Sequence, residues 1–436
     1  MAETKTITFI DLFAGMGGIR LGFEHAAHSR GLKTKCVLTS EIKPYAVSVL
    51  SQNHPTEQIK GDITQISTSE ISDFDILLAG FPCQAFSAAG KRLGFLDTRG
   101  TMFFEVERIL RDKQPKGFIL ENVEGLVNHD KADKNAPMGR TLETILNSLK
   151  ELGYKVSWRV LNSLNFGLPQ ERKRIYIVGT KNEAPNLDNW TPTKAALSSI
   201  LEKGLPTSNT PFIKKLLTHF TPAQLYGKSL KDKRGGDNNI HSWDIETKGP
   251  VSREQKDLLN ALFRQRRKKQ WAQELGIDWM DGMSLSFEQI STFFNHENLK
   301  EMLEDLCKKG YLVKEHPKAL VEERDLFGNV RKVRKQDPKL PIGYNIVTGK
   351  LSFEVGKILD PNDVAPTLVA MDMQRLYVVD GEGLRRLTLR EGLRLFGYPE
   401  DYKFNVSENE GFDLLGNTVC VPVIRNVAER LLDTIK

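Results

Sequence analysis

Cysteine is scarce in this chain. Its 436 residues include four, Cys36, Cys83, Cys307 and Cys420, far apart and never as C-x-x-C. That spacing indicates neither a zinc site nor a disulfide framework. Long apolar runs are missing too: no stretch approaches a membrane span, and Met1 to Thr8 shows no signal-peptide pattern, so the expected location is the cytoplasm. Charge of one sign is in short supply, since a net charge of +6 is by itself weak evidence for a nucleic-acid partner. No internal repeat or low-complexity tract occurs. A dinucleotide fingerprint is also lacking. The turn Phe13-Ala14-Gly15-Met16-Gly17-Gly18 is glycine-rich, but G-x-G-x-x-G counted from Gly15 needs glycine where Arg20 stands. What remains, 39% hydrophobic and 27% charged residues, describes a globular protein of two or three domains.

The first 180 residues alternate strand and helix patterns. Strands are expected at Thr6–Leu12, Lys35–Thr39, a stretch closing on Gly61-Asp62-Ile63, Phe74–Ala79, Phe118–Leu120, Lys155–Leu161 and Arg174–Gly179. Helices are expected from Ile19 to Ala27, Pro44 to Gln52 and Leu142 to Leu152. This rhythm predicts an α/β fold with a doubly wound, mostly parallel sheet. It stops near Ala184. A long basic helix, Ser252 to Leu275, is expected next, with Ser252 as N-cap and Gly276 as stop. Helices Phe287–Phe294 and Asn298–Lys309 follow, then a strand at Tyr311–Lys314 and a hairpin within Leu326–Val333. That order resembles a winged helix over about 250–335. Strand character returns at Arg375–Asp380, and a helix follows from Thr388 to Phe396. The predicted division is 1–184, 185–362 as a second, variable domain, and 363–436 returning to the first. Two basic clusters, Arg264–Lys269 and Arg331–Lys335, lie in the second domain and point to an anionic partner there.

Chemistry concentrates at strand ends. Glycines at 15, 17 and 18 let backbone approach a ligand closely. Without a third glycine to seat a pyrophosphate, a nucleoside lacking phosphates fits better. Glu41, after the second strand, is placed to hold ribose hydroxyls. Asp62, after the third, is placed to accept from an adenine amino group. S-adenosylmethionine meets these conditions. A lone cysteine is ordinarily a buried apolar residue. Cys83 differs: it follows a strand, Gly80 and the φ-restricting Pro82, and precedes a basic, glycine-containing loop. Glu121 ends the neighbouring strand, where it is suited to general-acid work beside a nucleophile, with Asn122 fixing the turn. Arg172 and Arg174, alternating ahead of a later strand, are expected to orient Glu121 and neutralise charge developing on a reacting ring.

In this order, Asp11 to Glu24, Gly80 to Gly94, Glu121-Asn122-Val123, Gln170 to Arg174 and Gly416-Asn417-Thr418-Val419 resemble the DNA (cytosine-5) methyltransferase family in its bacterial restriction-modification form. The resemblance covers roughly the first 180 and last 70 residues; the central region matches the family's target-recognition domain only in position and charge. It implies the S-adenosylmethionine-dependent methyltransferase fold, with S-adenosylhomocysteine as the product of the cofactor. It implies a cofactor pocket of Asp11, Phe13, Ala14, Gly15, Gly17, Gly18, Ile19, Glu41, Ile42, Asp62, Ile63, Gly80, Pro82, Met102, Asn417 and Val419. Phe13 is expected against the adenine ring. Catalysis would fall to Cys83, Glu121, Arg172 and Arg174, and DNA contact to Gln84, Ser87, Lys91, Arg92 and Arg99. Ala89 departs from members that carry a second serine in the nucleophile loop to help fill the space of the displaced base.

The implied reaction begins with addition of the Cys83 thiolate to C6 of a flipped-out cytosine, which makes C5 nucleophilic. Glu121 would donate to N3, Arg174 would contact O2, and methyl transfer, C5 deprotonation and thiolate expulsion would follow. The implied partner is double-stranded DNA, with a restriction endonuclease as functional counterpart, no stable protein partner, and a monomer as the enzyme's form. Two other readings stand beside this one. A non-catalytic DNA-binding regulator conflicts with intact Cys83, Glu121, Arg172 and Arg174. A transfer-RNA cytosine methyltransferase would share the catalytic residues, but relatives of that kind have a much smaller central region.

Overall fold

The computed structural model describes residues 5–82, 102–131, 133, 135–232, 238–324, 330–347 and 353–435. The chain forms two compact units, one of residues 1–203, 360–374 and 387–436, the other of 204–359 and 375–386.

The first unit begins with β1 (Thr6–Leu12), α1 (Gly18–Ser29), β2 (Lys33–Ser40), α2 (Pro44–Asn53), β3 (Ile59–Lys60) and β4 (Ile76–Ala79). It continues with α3 (Met102–Lys113), β5 (Gly117–Val123), α4 (Arg140–Glu151), β6 (Lys155–Asn162) and β7 (Lys173–Thr180). These strands make one sheet in the order β3-β2-β1-β4-β5-β7-β6. β7 alone runs against its neighbours, β5 and β6. β4 is apolar at every position and fully buried, as a strand covered on both faces must be. One face packs Ile10, Leu12, Leu77 and Leu120 with Val106 and Leu110 of α3 and Leu142, Ile145 and Leu149 of α4. That helical spacing turns one stripe of α4 to the sheet. On the other face Phe23 of α1 meets Phe9, ring centroids 5.2 Å apart. Strand order reverses between β1 and β4, which opens a crevice at the strands' carboxyl ends.

The predicted third strand is shorter than expected. β3 stops at Lys60, and Asp62 caps a 3-10 turn at Ile63–Gln65, its Oδ1 accepting from Thr64 N at 2.9 Å. A short carboxylate bonding backbone two residues on favours a turn over a ladder.

The second unit has two cores. Around the first, α5 (Pro211–His219), β8 (Ser229–Leu230) and β9 (Asn239–Ile240) bury Ile213, Leu216, Leu230 and Ile240 with residues of later strands. Around the second pack α6 (Arg253–Gln265), α7 (Gln270–Leu275), α8 (Phe287–Ser291) and α9 (Leu299–Lys308). Leu258, Leu262, Trp271, Leu303 and Leu306 meet there. Ser252 does cap α6, in a capping box with Gln255, and Gly276 ends α7 at φ +65°. The single long helix expected over this span is instead two. Arg266 turns into the core, its Nη1 donating to Asn345 Oδ1 at 2.7 Å, while its carbonyl accepts from Met283 N. The indole of Trp271 takes the Gln265 carbonyl at 2.8 Å. With the Arg266 carbonyl taken by Met283 and that of Gln265 by Lys268 N and the Trp271 side chain, the i→i−4 ladder is interrupted.

Strands β10 (Leu312–Glu315) and β13 (Gly343–Ile346) pair antiparallel, and Leu285 bridges the far side of β13 at Tyr344. Between them in sequence run β11 (Lys318–Arg324) and β12 (Val330–Gln336), an antiparallel hairpin whose strands start earlier and end later than the Leu326–Val333 expectation. Residues 325–329 lie outside the described set. β14 (Lys357–Ile358), β15 (Leu376–Asp380) and β16 (Gly383–Arg386) complete a sheet of order β16-β15-β14-β8-β9.

The chain returns to the first unit through α10 (Ala370–Met373), α11 (Leu389–Leu395), α12 (Glu408–Asn417) and α13 (Val421–Asp433). Thr388 and Ser407 each cap their helix in a capping box. α13 lies against α1 so closely that a Cβ on Gly22 would sit 2.6 Å from Ile424 Cβ. No helix among the described residues is long and apolar enough to cross a membrane.

Candidate active site

The crevice at the carboxyl ends of β1, β2, β4 and β5 holds a cavity of about 490 Å³. Its first wall is the turn after β1. Phe13 sits at φ +54°, in the left-handed region that a bulky side chain rarely adopts, and Gly15 and Gly17 follow at +56° and +77°. A strained residue at the mouth of a cavity costs about 1–3 kcal/mol and persists where the surroundings over-determine it. Here Ala14 N donates to the Ser40 carbonyl, and Gly15 N donates to Glu41 Oε2 at 2.7 Å. Glu41 Oε1 accepts from the amides of Ile42 and Lys43, both at 2.8 Å. Three amides thus fix that carboxylate beside the turn, at the rim of the sheet.

The far end of the chain closes this wall. Arg172 Nη1 donates to the Leu368 carbonyl at 2.9 Å, and Nη2 donates to those of Gly416 and Thr418 at 3.2 and 2.8 Å. Its guanidinium also lies over the Phe396 ring, 5.2 Å from the centroid. Burial pushes its pKa down to about 10, helped by the nearby Arg174 charge. Tyr398 Oη bonds Thr418 Oγ1 at 2.6 Å, and Tyr402 Oη donates to the Met16 carbonyl. Lys43 and Tyr45 converge on Asp413 at 2.7 and 2.6 Å. Gly18 makes the approach feasible: a Cβ there would fall 2.5 Å from Tyr398 Oη and 2.8 Å from Val419 Cγ2.

The other wall is carboxyl and guanidinium. Ala79 pairs with Leu120, so the chain leaving β4 runs beside Glu121. β7 is antiparallel, which brings its start to the same rim with Arg174 opposite Val123. Arg174 Nε lies 3.3 Å from Glu121 Oε1. Burial raises the Glu121 pKa above the ordinary carboxyl value, against the lowering pull of Arg174 and then Arg172. Asn122 donates from Nδ2 to the Phe81 carbonyl at 3.0 Å and accepts at Oδ1 from Val123 N. It therefore ties down the backbone two residues before Cys83.

The cavity wall includes Phe13, Ala14, Gly15, Gly18, Ile19, Glu41, Ile42, Asp62, Ile63, Gly80, Pro82, Met102, Glu121, Arg172, Arg174, Asn417 and Val419. Two residues expected at the cofactor stand off the wall. Gly17 is the left-handed N-cap of α1. Asp11 shares the side of β1 with Phe9, facing α1, and is fully buried with neither carboxyl oxygen hydrogen-bonded. Burial pushes its pKa up to about 8, against the lowering effect of Arg20. Arg172 also departs from expectation: it makes no hydrogen bond to Glu121, since Nη1 and Nη2 turn to three carbonyls of the returning segment while Nε is buried without a partner among the described residues. Cys83, Gln84, Ser87, Ala89, Lys91, Arg92 and Arg99 lie outside the described residues. Met16, Ser40, Lys43, Phe81 and Leu414 also line the cavity, as do Gly416 and Thr418 of the last motif. For Lys43, next to Glu41 and before the helix-starting Pro44, position offered a signal; for Leu414 only the fold brings it in.

The model of the C-5 cytosine-specific DNA methylase family matches residues 7–433. The chain belongs to that family. It is similar to the Type II methyltransferase M.NlaIV of Neisseria lactamica, 62% identical over 431 residues that cover 99% of this chain and 100% of the relative. It is 42% identical to M.BanI of Aneurinibacillus aneurinilyticus, over 98% of this chain and 95% of that one. Among solved structures, the Entamoeba histolytica methyltransferase EhMeth aligns over 99% of this chain and all of its own, with a TM-score of 0.53 at 15% identity, a likeness of fold. This family member is a DNA (cytosine-5) methyltransferase, and its first unit has the methyltransferase fold.

Proposed function

We propose that the enzyme methylates C5 of a flipped-out cytosine at a specific duplex sequence by covalent catalysis, with S-adenosylmethionine as donor and Cys83 as nucleophile. One observation carries this reading: the fixed Glu41 carboxylate and the buried Glu121–Arg174 pair line a single cavity with Pro82, the residue before Cys83. The residues present suit that cofactor. Glu41, held by three amides, keeps lone pairs for two ribose hydroxyls; Asp62 Oδ1 serves its own turn, leaving Oδ2 for an adenine amino group. Phe13 offers a ring face to the adenine. The cofactor would supply the methyl group.

The protein's own residues do the rest. Asn122 fixes the chain that leads to the thiol, limiting how far Cys83 must search to reach C6. Glu121, whose acid form burial favours, donates to N3 as charge builds on the ring. Arg174 orients Glu121 and supplies a donor for O2. Arg172 acts at a distance, clamping the last segment of the chain against the turn after β1 so that the cofactor wall is closed. The enzyme would act as a monomer in the cytoplasm, protecting DNA from a partner endonuclease with the same target.

Replacing Glu41 by Ala removes a buried polar contact and should weaken S-adenosylmethionine binding by about 1–3 kcal/mol. Calorimetry reads this directly, and unchanged affinity would take Glu41 out of the site. Bisulfite sequencing of DNA from cells expressing the enzyme should show one cytosine protected within one recurrent sequence. Protection at no sequence would defeat the proposal.

A further inference from the structure

The helical core of the second unit has the layout of a winged helix. α6 and α8 back α9, Leu285, β10 and β13 form a small sheet, and the β11–β12 hairpin springs from it. In helix-turn-helix proteins the last helix enters the major groove. α9 is poorly suited to that, carrying Glu301, Glu304 and Asp305 against Lys300 and Lys308. The bond from Lys314 holds the Glu304 carboxyl below its ordinary pKa, and that from Lys309 does the same for Asp305. Both therefore stay ionised, and α9 offers a duplex no net positive charge.

The hairpin differs in every respect. β12 reads Val-Arg-Lys-Val-Arg-Lys-Gln, four cations without an acid, while β11 adds Lys318 and Arg324 against Glu322 and Glu323. Among the described residues its two strands pair with each other alone. A bare two-stranded ribbon is at best marginally stable in water, so a partner for its face is expected. Register puts Ala319, Val321 and Glu323 on one face with Lys335, Val333 and Arg331, respectively, as their partners. The opposite face has a foothold, since Arg334 donates to the carbonyls of Asp278 and Trp279 at 3.3 and 2.9 Å. Among the described residues no hydrogen bond ties the first face to the rest of the unit, and Val321 on it is as exposed as Leu320 on the other face, 36% each. Lys335 pairs there with Glu323, both well exposed. Such surface pairs are worth little and exchange readily.

Seven-residue strands span about 23 Å. A two-stranded ribbon is one of the two elements that fit the major groove. There a carboxylate accepts from the cytosine amino group, and small apolar side chains meet the thymine methyl.

We propose that the face formed by Ala319, Val321, Glu323, Val333 and Lys335, and not α9, lies in the major groove and sets part of the methylated sequence. Lys335 leaves Glu323 for a phosphate, which frees Glu323 to accept from a cytosine amino group. The proposal rests on the reading that the substrate is duplex DNA, to which it adds the recognising element.

The test uses the full-length enzyme on a duplex pool randomised around a cytosine, read by bisulfite sequencing. Glu323→Ala should relax preference at one base pair by about tenfold or more. Lys335→Ala should leave the motif intact, weaken binding to all duplexes alike, and lower the log–log salt slope by about one. Lys300→Ala and Glu301→Ala on α9 should change neither motif nor affinity. These positions are solvent-facing, so far-ultraviolet circular dichroism should match the wild type throughout. An unchanged motif in both Glu323→Ala and Val321→Ala would overturn the proposal, as would a motif altered by the α9 variants. Wild-type enzyme that marks no cytosine in the pool would defeat the DNA reading, and the proposal with it.

Discussion

A duplex carrying 5-fluorocytosine at the target should become covalently bound to the enzyme when S-adenosylmethionine is present, and Cys83→Ser should abolish the adduct. The argument is chemical. Once sulfur has added to C6 and C5 has accepted the methyl group, a proton must leave C5 before sulfur can depart. Fluorine cannot leave as a cation, so the adduct persists. A serine hydroxyl is scarcely ionised near neutral pH, whereas a few per cent of a free thiol is. The other three cysteines make poor candidates. Burial pushes the Cys36 thiol up to about 12 and that of Cys420 to about 11, and it raises Cys307 as well. Replaced one at a time, they should leave trapping intact. An adduct that survives Cys83→Ser but disappears with another cysteine would refute the assignment.

Glu121→Gln should lower the methylation rate by about 10²–10⁴, the usual range for losing a general acid. Glutamine can still bond N3 but cannot give up a proton. The pH profile distinguishes this from mere misplacement. The Glu121 pKa is raised by burial, so its acid form persists above pH 4.5 and is lost as pH climbs through the raised value. The wild-type rate should fall across that limb, and Glu121→Gln should lack it. Arg174→Ala takes away the charge that opposes the shift, so the limb should move to higher pH. A limb that stays in place in Glu121→Gln would assign it to another group.

The arrangement of the first unit was largely readable because it is written locally. A strand covered on both faces is an apolar run, and the site lies where that run turns polar: Glu41 just past β2, Glu121 two residues before the end of β5, and the Gly80–Pro82 step after β4 all declare themselves in this way. What stayed hidden depends on contacts made far along the chain. Arg172 and Arg174 look equivalent in sequence, two residues apart on one strand approach. Only the return of Leu368, Gly416 and Thr418 gives Arg172 three carbonyls and leaves Arg174 beside Glu121. Asp11 reads as a cofactor ligand, yet strand alternation points it at α1. In the second unit the periodicity of residues 252–275 suits one helix throughout. The break comes from Met283 and Trp271 competing for the carbonyls of Arg266 and Gln265, which no local pattern records.

The most direct measurement follows the methyl group itself. Enzyme given S-adenosylmethionine tritiated in its methyl group, with duplex DNA and transfer RNA present together, should label the DNA alone. After digestion the label should run as 5-methyldeoxycytidine. Label in transfer RNA, or in DNA as a methylated exocyclic amine of cytosine or adenine, would contradict the account.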